Sequence, residues 1–230
     1  HKPLETLRTA AAEGALIQID HLDELGDLEL ISKELGRPVR AGLRVNLDAG
    51  IYPQWSRFGL NLESGQALDA VKRMSVRGGI DLQSLHCHLG TFILDPNAYA
   101  VQVTKLVKFA QELEAGFGIK ITTLDLGGGL PSRSRLKGTY HAPELSIPSL
   151  DEYAQKITDA LYRALKPGQT PRLVLESGRA IVDEAGWLIT TIHASKRLPD
   201  GRKAYLADAG VNLLYTSTWY RFTLELDRPA

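Results

Sequence analysis

At 230 residues, 43% of them hydrophobic, the chain can bury a substantial core, as one large domain or as one domain plus part of another. Lysine plus arginine match aspartate plus glutamate at 27 each, which leaves no polycationic footprint for nucleic acid or a membrane surface. No apolar run reaches the ~18 residues of a spanning helix, no signal-peptide pattern opens the chain, and the single cysteine, Cys87, excludes an intrachain disulfide. A soluble, cytoplasmic protein is expected, since a lone thiol suits a reducing compartment.

The chain opens at His1-Lys2-Pro3 without an initiator Met and stops at Asp227-Arg228-Pro229-Ala230, just after an apolar run, so a piece of a larger protein is expected. Leu4 to Glu13 has helical spacing with Gly14 as its stop, and Ala15 to Ile19 follows as a strand. Asp20 is placed to cap the next helix, which runs to Leu35-Gly36. Val39 to Leu47 is the second strand. A loop then carries Tyr52, Pro53, Trp55 and Ser56-Arg57-Phe58-Gly59, before a helix over 64–76. Ile80 to His88 forms the third strand, and Pro96 starts a long amphipathic helix ending near Gly116-Phe117-Gly118. The β-branched run from Ile119 to Leu124 reads as a fourth strand leading into Asp125-Leu126-Gly127-Gly128-Gly129-Leu130-Pro131.

A polar loop over 132–148 precedes a helix over 149–165, opened by Ser149 or Asp151, and Arg172 to Glu176 is the fifth strand. Such alternation of strand and helix predicts a parallel α/β sheet, either a closed barrel or a doubly wound sheet. After Arg179 the character changes. Trp187 to Lys196 and Lys203 to Asp208 read as strands joined by Leu198-Pro199-Asp200-Gly201, with Asp-Gly as the turn signal. A domain boundary is therefore expected near residue 184, with residues 1–184 in the α/β domain and 185–230 beginning an all-β unit.

In parallel α/β folds chemistry collects at the carboxyl ends of the strands. Gly127, Gly128 and Gly129 can bring backbone N–H groups close to an anion, although a tight turn is the plainer reading of three glycines taken alone. His86 and His88 fall on one strand face, with Cys87 on the other as a small buried apolar residue. No nearby residue offers the third ligand zinc needs, so no metal is expected. Two satisfied interior histidines are the plainer reading. Gly178 and Arg179 can offer an N–H and a guanidinium to a phosphate. Glu176 would be a costly buried carboxylate unless paired, with Arg179 as the simplest partner. Together these ends supply a phosphate cradle, a flat ring and a carboxylate. That inventory fits pyridoxal 5′-phosphate, whose protonated pyridine is an electron sink for a carbanion at a substrate's α-carbon.

These motifs resemble those of the fold-type III pyridoxal-phosphate decarboxylases, the diaminopimelate, ornithine and arginine decarboxylase group. His86-Cys87-His88-Leu89-Gly90-Thr91 is similar to His-x-His-x-Gly-Ser, Asp125 to Pro131 to Asp-x-Gly-Gly-Gly-x-Pro, and Glu176-Ser177-Gly178-Arg179 to Glu-Pro-Gly-Arg. Ser56 to Gly59 resembles Ser-Lys-Phe-Gly, and Asp208-Ala209-Gly210-Val211-Asn212 resembles Asp-x-Gly-x-Asn, all in family order. The resemblance implies a partial (β/α)8 TIM-type barrel, alanine racemase-like, joined to a β domain. It also implies a homodimer with shared active sites. His88 would stack on the cofactor and Glu176 would face its ring nitrogen. Gly129, Gly178 and Arg179 would hold the phosphate with Thr91 nearby, and Gly127, Gly128 and Ser177 would also contact the cofactor. Tyr220 would meet substrate, and Arg44 and Asp125 would lend support.

Departures accompany the match. The family's cofactor-linked lysine and the partner-domain cysteine are not found, and Ser177 replaces the usual proline. Thr216 stands where diaminopimelate decarboxylases place a substrate-binding arginine, which argues for a different diamino acid or an amino-acid conjugate. The expected activity is biosynthetic α-decarboxylation. Rival readings are a racemase on the same barrel, a catalytically inactive cofactor-binding homologue and, least favoured, a metal-dependent hydrolase.

Overall fold

The computed structural model describes residues 2–51, 53–134, 137–138, 142, 146–183, 185–225 and 227, so Tyr52, Glu184 and part of the 132–148 loop lie outside the described residues. The chain divides into two compact units, His1–Pro131 with Pro148–Gly178, and Ser132–Ile147 with Arg179–Ala230.

The first unit alternates helix and strand: α1 (Leu4–Ala12), β1 (Ile17–Ile19), α2 (Asp23–Leu35), β2 (Val39–Asn46), β3 (Leu60–Asn61), α3 (Gln66–Arg77), β4 (Ile80–His86), α4 (Pro96–Phe117), β5 (Thr123–Asp125), α5 (Leu150–Ala164) and β6 (Arg172–Val174). The main sheet runs β1-β2-β4-β5-β6, with β3 paired to β2, and every pairing is parallel. Spatial order therefore follows chain order without reversing. A doubly wound sheet must reverse at a switch point. Right-handed crossovers that always advance in one direction leave every helix on one face, which is the winding of a barrel.

Local chemistry explains the element ends. Asp95 accepts from Asn97 N to open α4, with Pro96 as the first helical residue. Ser149 and Glu152 form a reciprocal capping box on α5, which selects Ser149 over Asp151 as its start. Gly36 and Gly118 end α2 and α4 in the left-handed conformation. Near-continuous burial of β2, a central strand, fits its place in a parallel sheet. Behind the sheet, the rings of Tyr99 and Tyr153 meet edge-on at 5.6 Å. Their hydroxyls donate to Gly128 O and Ile93 O, so α4 and α5 are pinned to the loops that follow β4 and β5.

Several expectations need correction. Asp20 caps nothing: α2 begins at Asp23 behind Leu22, without a side-chain cap. Instead Glu24 reaches back to accept from Asp20 N at 2.8 Å, and Asp20 accepts from Gly59 N at 3.0 Å. β5 spans only Thr123–Asp125. The start of the β-branched run is taken by the closure of α4, where Gly118 N donates to Glu114 O and Ile119 N to Leu113 O, six residues back. β4 ends at His86, two residues before His88, and β6 ends at Val174, two before Glu176.

The second unit contains the short helix α6 (Arg179–Val182) and an antiparallel hairpin of β7 (Ile192–Arg197) and β8 (Lys203–Ala207). The hairpin turn closes with Gly201 N on Leu198 O, at a Gly201 φ of +85°. The first hairpin strand begins at Ile192 rather than Trp187. A 3-10 turn spans Tyr215–Thr218.

Candidate functional site

Parallel register places Arg44 of β2 beside His86 of β4, and His86 beside Asp125 of β5. One layer below, Gln18, Gly42 and Ser84 share a register row. A Cβ at Gly42 would fall 2.1 Å from Gln18 Oε1, so glycine is what lets the Gln18 side chain lie across β2. The Arg44 guanidinium approaches Asp20 Oδ1 at 3.6 Å. These side chains sit at the carboxyl ends of the strands, where a barrel collects its chemistry.

His86 Nδ1 lies 3.3 Å from Asp125 Oδ1, with the two side chains only 6% and 9% exposed. Asp125 also accepts from Gly127 N at 2.9 Å. Burial pushes the Asp125 carboxyl up, but the adjacent His86 ring and the hydrogen bond from the Gly127 amide, with a smaller contribution from Glu176, hold it below the usual carboxylate range. Glu176 completes the group: one ligand atom each from His86, Asp125 and Glu176 lies within 4.8 Å of the others. The third metal ligand that the sequence did not reveal is thus at hand, brought by two strands far from His86 in the chain. Glu176 itself is exposed rather than buried. Its strand is the last of the sheet, so no neighbouring strand among the described residues covers it.

His88 sits past the end of β4 and accepts from Gly128 N through Nδ1 at 3.0 Å. An Nδ1 acceptor places the proton of the neutral ring on Nε2. Burial, then the nearby Arg44 guanidinium and the His86 ring, lowers its basicity below the ordinary histidine value. Cys87 is buried, and burial pushes its thiol up to about 12, which makes it inert as expected.

The triple glycine does different work from a simple anion cradle. Gly127 N is committed to Asp125 and Gly128 N to His88. A Cβ at Gly127 would meet His88 at 2.8 Å, one at Gly128 would meet Glu176 O at 2.5 Å, and one at Gly129 would meet Gly90 O at 2.5 Å. The glycines thus allow three strand-end loops to touch. A cleft of about 440 Å³ opens beside them, lined among others by Asp20, Arg44, Trp55, His86, His88 and Glu176. Another cavity, of about 240 Å³, lies between α4 and the segments leading into β5 and β6. Its Gln111 amide donates to Ala164 O and Gln169 Oε1, so this polar group is already satisfied.

Thr91 and Gly178 are exposed and Ser177 is half-buried, all in the first unit. Arg179 and Tyr220 belong to the second. There Arg179 bonds Asp183 at 3.1 Å rather than Glu176, and its guanidinium lies 4.2 Å over the Tyr220 ring. Ser132 and Ser134 also donate to Asp183. Sequence reasoning missed Asp20 and Trp55. Asp20 follows β1 directly, so the strand-end rule would have found it had it not been assigned to a helix cap. Trp55 has no such signal, because it lies in an irregular loop.

The family described as pyridoxal-dependent decarboxylase, pyridoxal binding domain, matches residues 1–183. Diaminopimelate decarboxylase from Methanocaldococcus jannaschii is 30% identical over 217 residues, 90% of this chain and 48% of that protein. The Archaeoglobus fulgidus enzyme of the same name is 29% identical over 228 residues, 95% of this chain and 51% of that protein. The crystal structure of the M. jannaschii enzyme with L-lysine superposes with a TM-score of 0.78 at 27% identity, covering 92% of this chain and 49% of that one. That of the Helicobacter pylori enzyme with L-lysine gives 0.76 at 27%, covering 95% and 53%. The chain spans about half the length of the curated relatives it matches.

Proposed function

Because the chain belongs to the pyridoxal-dependent decarboxylases, through the barrel domain that binds pyridoxal, we propose that the full-length protein uses pyridoxal 5′-phosphate to decarboxylate an amino acid. The observation that carries this reading is the acidic cluster of Asp125 and Glu176 with His86, set beside a neutral His88 ring. His86 Nδ1 is buried without a hydrogen-bond partner of good geometry, and the cluster faces a cleft with room for a ring. The residues fit the cofactor: two carboxylates for a cationic ring nitrogen, a flat imidazole for its face, and close-packed glycine backbone beside them.

Bound there, the cofactor would supply the electron sink that takes up the electron pair when CO2 departs. Glu176 would hold the proton on the ring nitrogen, and Asp125 would keep the surrounding potential negative. His88, pinned by Gly128, would lie against the ring. Arg44 carries supporting positive charge at the cleft wall. With the Gly127 and Gly128 amides already engaged, Gly129 is the member of the triple glycine assigned to the phosphate, with Thr91, Ser177 and Gly178 nearby. The phosphate role of Arg179 and the substrate role of Tyr220 rest on the sequence resemblance alone.

Thr216 in place of an arginine favours a diamino acid or amino-acid conjugate other than diaminopimelate. A carboxylate cluster at the ring-nitrogen end opposes racemisation, which gains from a weaker sink. The proposal extends to a homodimer with shared sites, a barrel domain ending near residue 184 with a β domain after it, and action in the cytoplasm, which a buried free thiol suits. Among the described residues no helix is long and apolar enough to cross a membrane.

Purified full-length protein should bind pyridoxal phosphate, borohydride should fix it covalently to a lysine, and a screen of amino acids should release CO2 from one of them. Bound cofactor with no CO2 from any amino acid would overturn decarboxylation and leave a cofactor-binding homologue.

A further inference from the structure

Resting on that assignment of His88 to the cofactor face, we propose that Trp55 is a positioning residue that sets the plane of the His88 ring. The hydrogen bond from Gly128 N to His88 Nδ1 fixes one direction of the imidazole but not its rotation about that direction. A second contact must fix the plane. Trp55 provides it, with ring centroids 5.0 Å apart and planes tilted by 44°, within the range of favourable aromatic pairs.

Trp55 is itself held. Its indole meets Phe58 at 6.0 Å, and the Phe58 ring is gripped by the guanidinium groups of Arg44 at 4.7 Å and Arg57 at 4.9 Å. The loop is tied to the end of β2, where Asn46 Nδ2 donates to Phe58 O at 2.8 Å and to Gly59 O at 3.0 Å. Gly59 makes that approach possible: its φ is +71°, and a Cβ there would fall 2.8 Å from Arg44 O. A rigid run thus passes from β2 through Phe58 and Trp55 to His88. Trp55 lines the cleft as well, so the same indole limits water at the imidazole.

The test compares Trp55→Leu, which keeps an apolar side chain without a plane, and Trp55→Phe, which keeps a ring, in the full-length protein. Trp55→Leu should weaken pyridoxal phosphate binding about three- to tenfold, and Trp55→Phe should stay within about twofold of the parent. In cofactor-free protein, crystal structures should show the His88 ring in a single plane in the parent and Trp55→Phe, and in more than one plane in Trp55→Leu. Unchanged affinity and an unchanged ring plane in Trp55→Leu would overturn the proposal. So would equal losses in Leu and Phe variants. A parent protein that binds no pyridoxal phosphate would instead overturn the functional assignment, while the ring plane in cofactor-free protein would still decide the Trp55 contact.

Discussion

Gly128→Ala isolates what the triple glycine does. The added Cβ would stand 2.5 Å from the backbone oxygen of Glu176, about 0.9 Å short of the 3.4 Å at which ordinary contact begins. The obstacle is backbone rather than a flexible side-chain tip, so either the 127–129 loop or the Glu176 segment must move. Overpacking of this kind typically destabilises by ~1–3 kcal/mol. The functional effect should be larger than the stability effect, because the same amide orients His88 and the displaced carbonyl belongs to Glu176. A misplacement of about 1 Å lowers turnover by roughly 10²-fold. Gly26→Ala, inside α2 with nothing within 4 Å of its Cβ, is the control and should stabilise by up to ~1 kcal/mol. Urea titration of the full-length protein would read stability, and steady-state CO2 release would read turnover. If Gly128→Ala turned over within about threefold of the parent, the close packing of the strand-end loops would not be what organises the site.

Arg179→Ala should weaken pyridoxal phosphate binding about tenfold or more, the scale of a charge-assisted hydrogen bond, measured by reconstituting cofactor-free protein. Unaltered affinity would remove its phosphate role. Ser149→Ala should cost ~0.5–2 kcal/mol by loss of the capping box, with turnover unchanged; urea midpoints showing no loss would contradict the cap. The pH dependence follows from His88, whose basicity is lowered in the folded state. Between its ordinary value near about 6.5 and its lower folded value the unfolded chain binds more protons, so stability should fall as pH drops through that window. His88→Gln should flatten the slope; an identical slope would show that His88 is not the group responsible. Asp125, held below the usual carboxylate range, adds a further loss only at more acid pH.

Features written in contiguous residues were legible without coordinates. The proline start of α4, the Ser149 cap, the left-handed glycines after α2 and α4 and the Asp-Gly hairpin turn each depend on hydrogen bonds within a few residues of the signal. The strand-end motifs around His88, Gly127–Gly129 and Glu176 were equally readable, because consecutive βα units deliver loops to the same end of the sheet. Strand and helix alternation alone did not separate a barrel from a doubly wound sheet, although the motif resemblance implied the barrel. The distinction lies in strand order, which the unreversed β1-β2-β4-β5-β6 path decides. The use of each polar group was likewise hidden. Gly127 and Gly128 amides serve Asp125 and His88, Glu176 is exposed beside Asp125, Asp20 receives Gly59 instead of capping a helix, and Trp55 faces His88 across 32 intervening positions. Local propensity is set by neighbours along the chain. Which donor meets which acceptor is set by strand register and by loops meeting in space, and that information exists only once the sheet has formed.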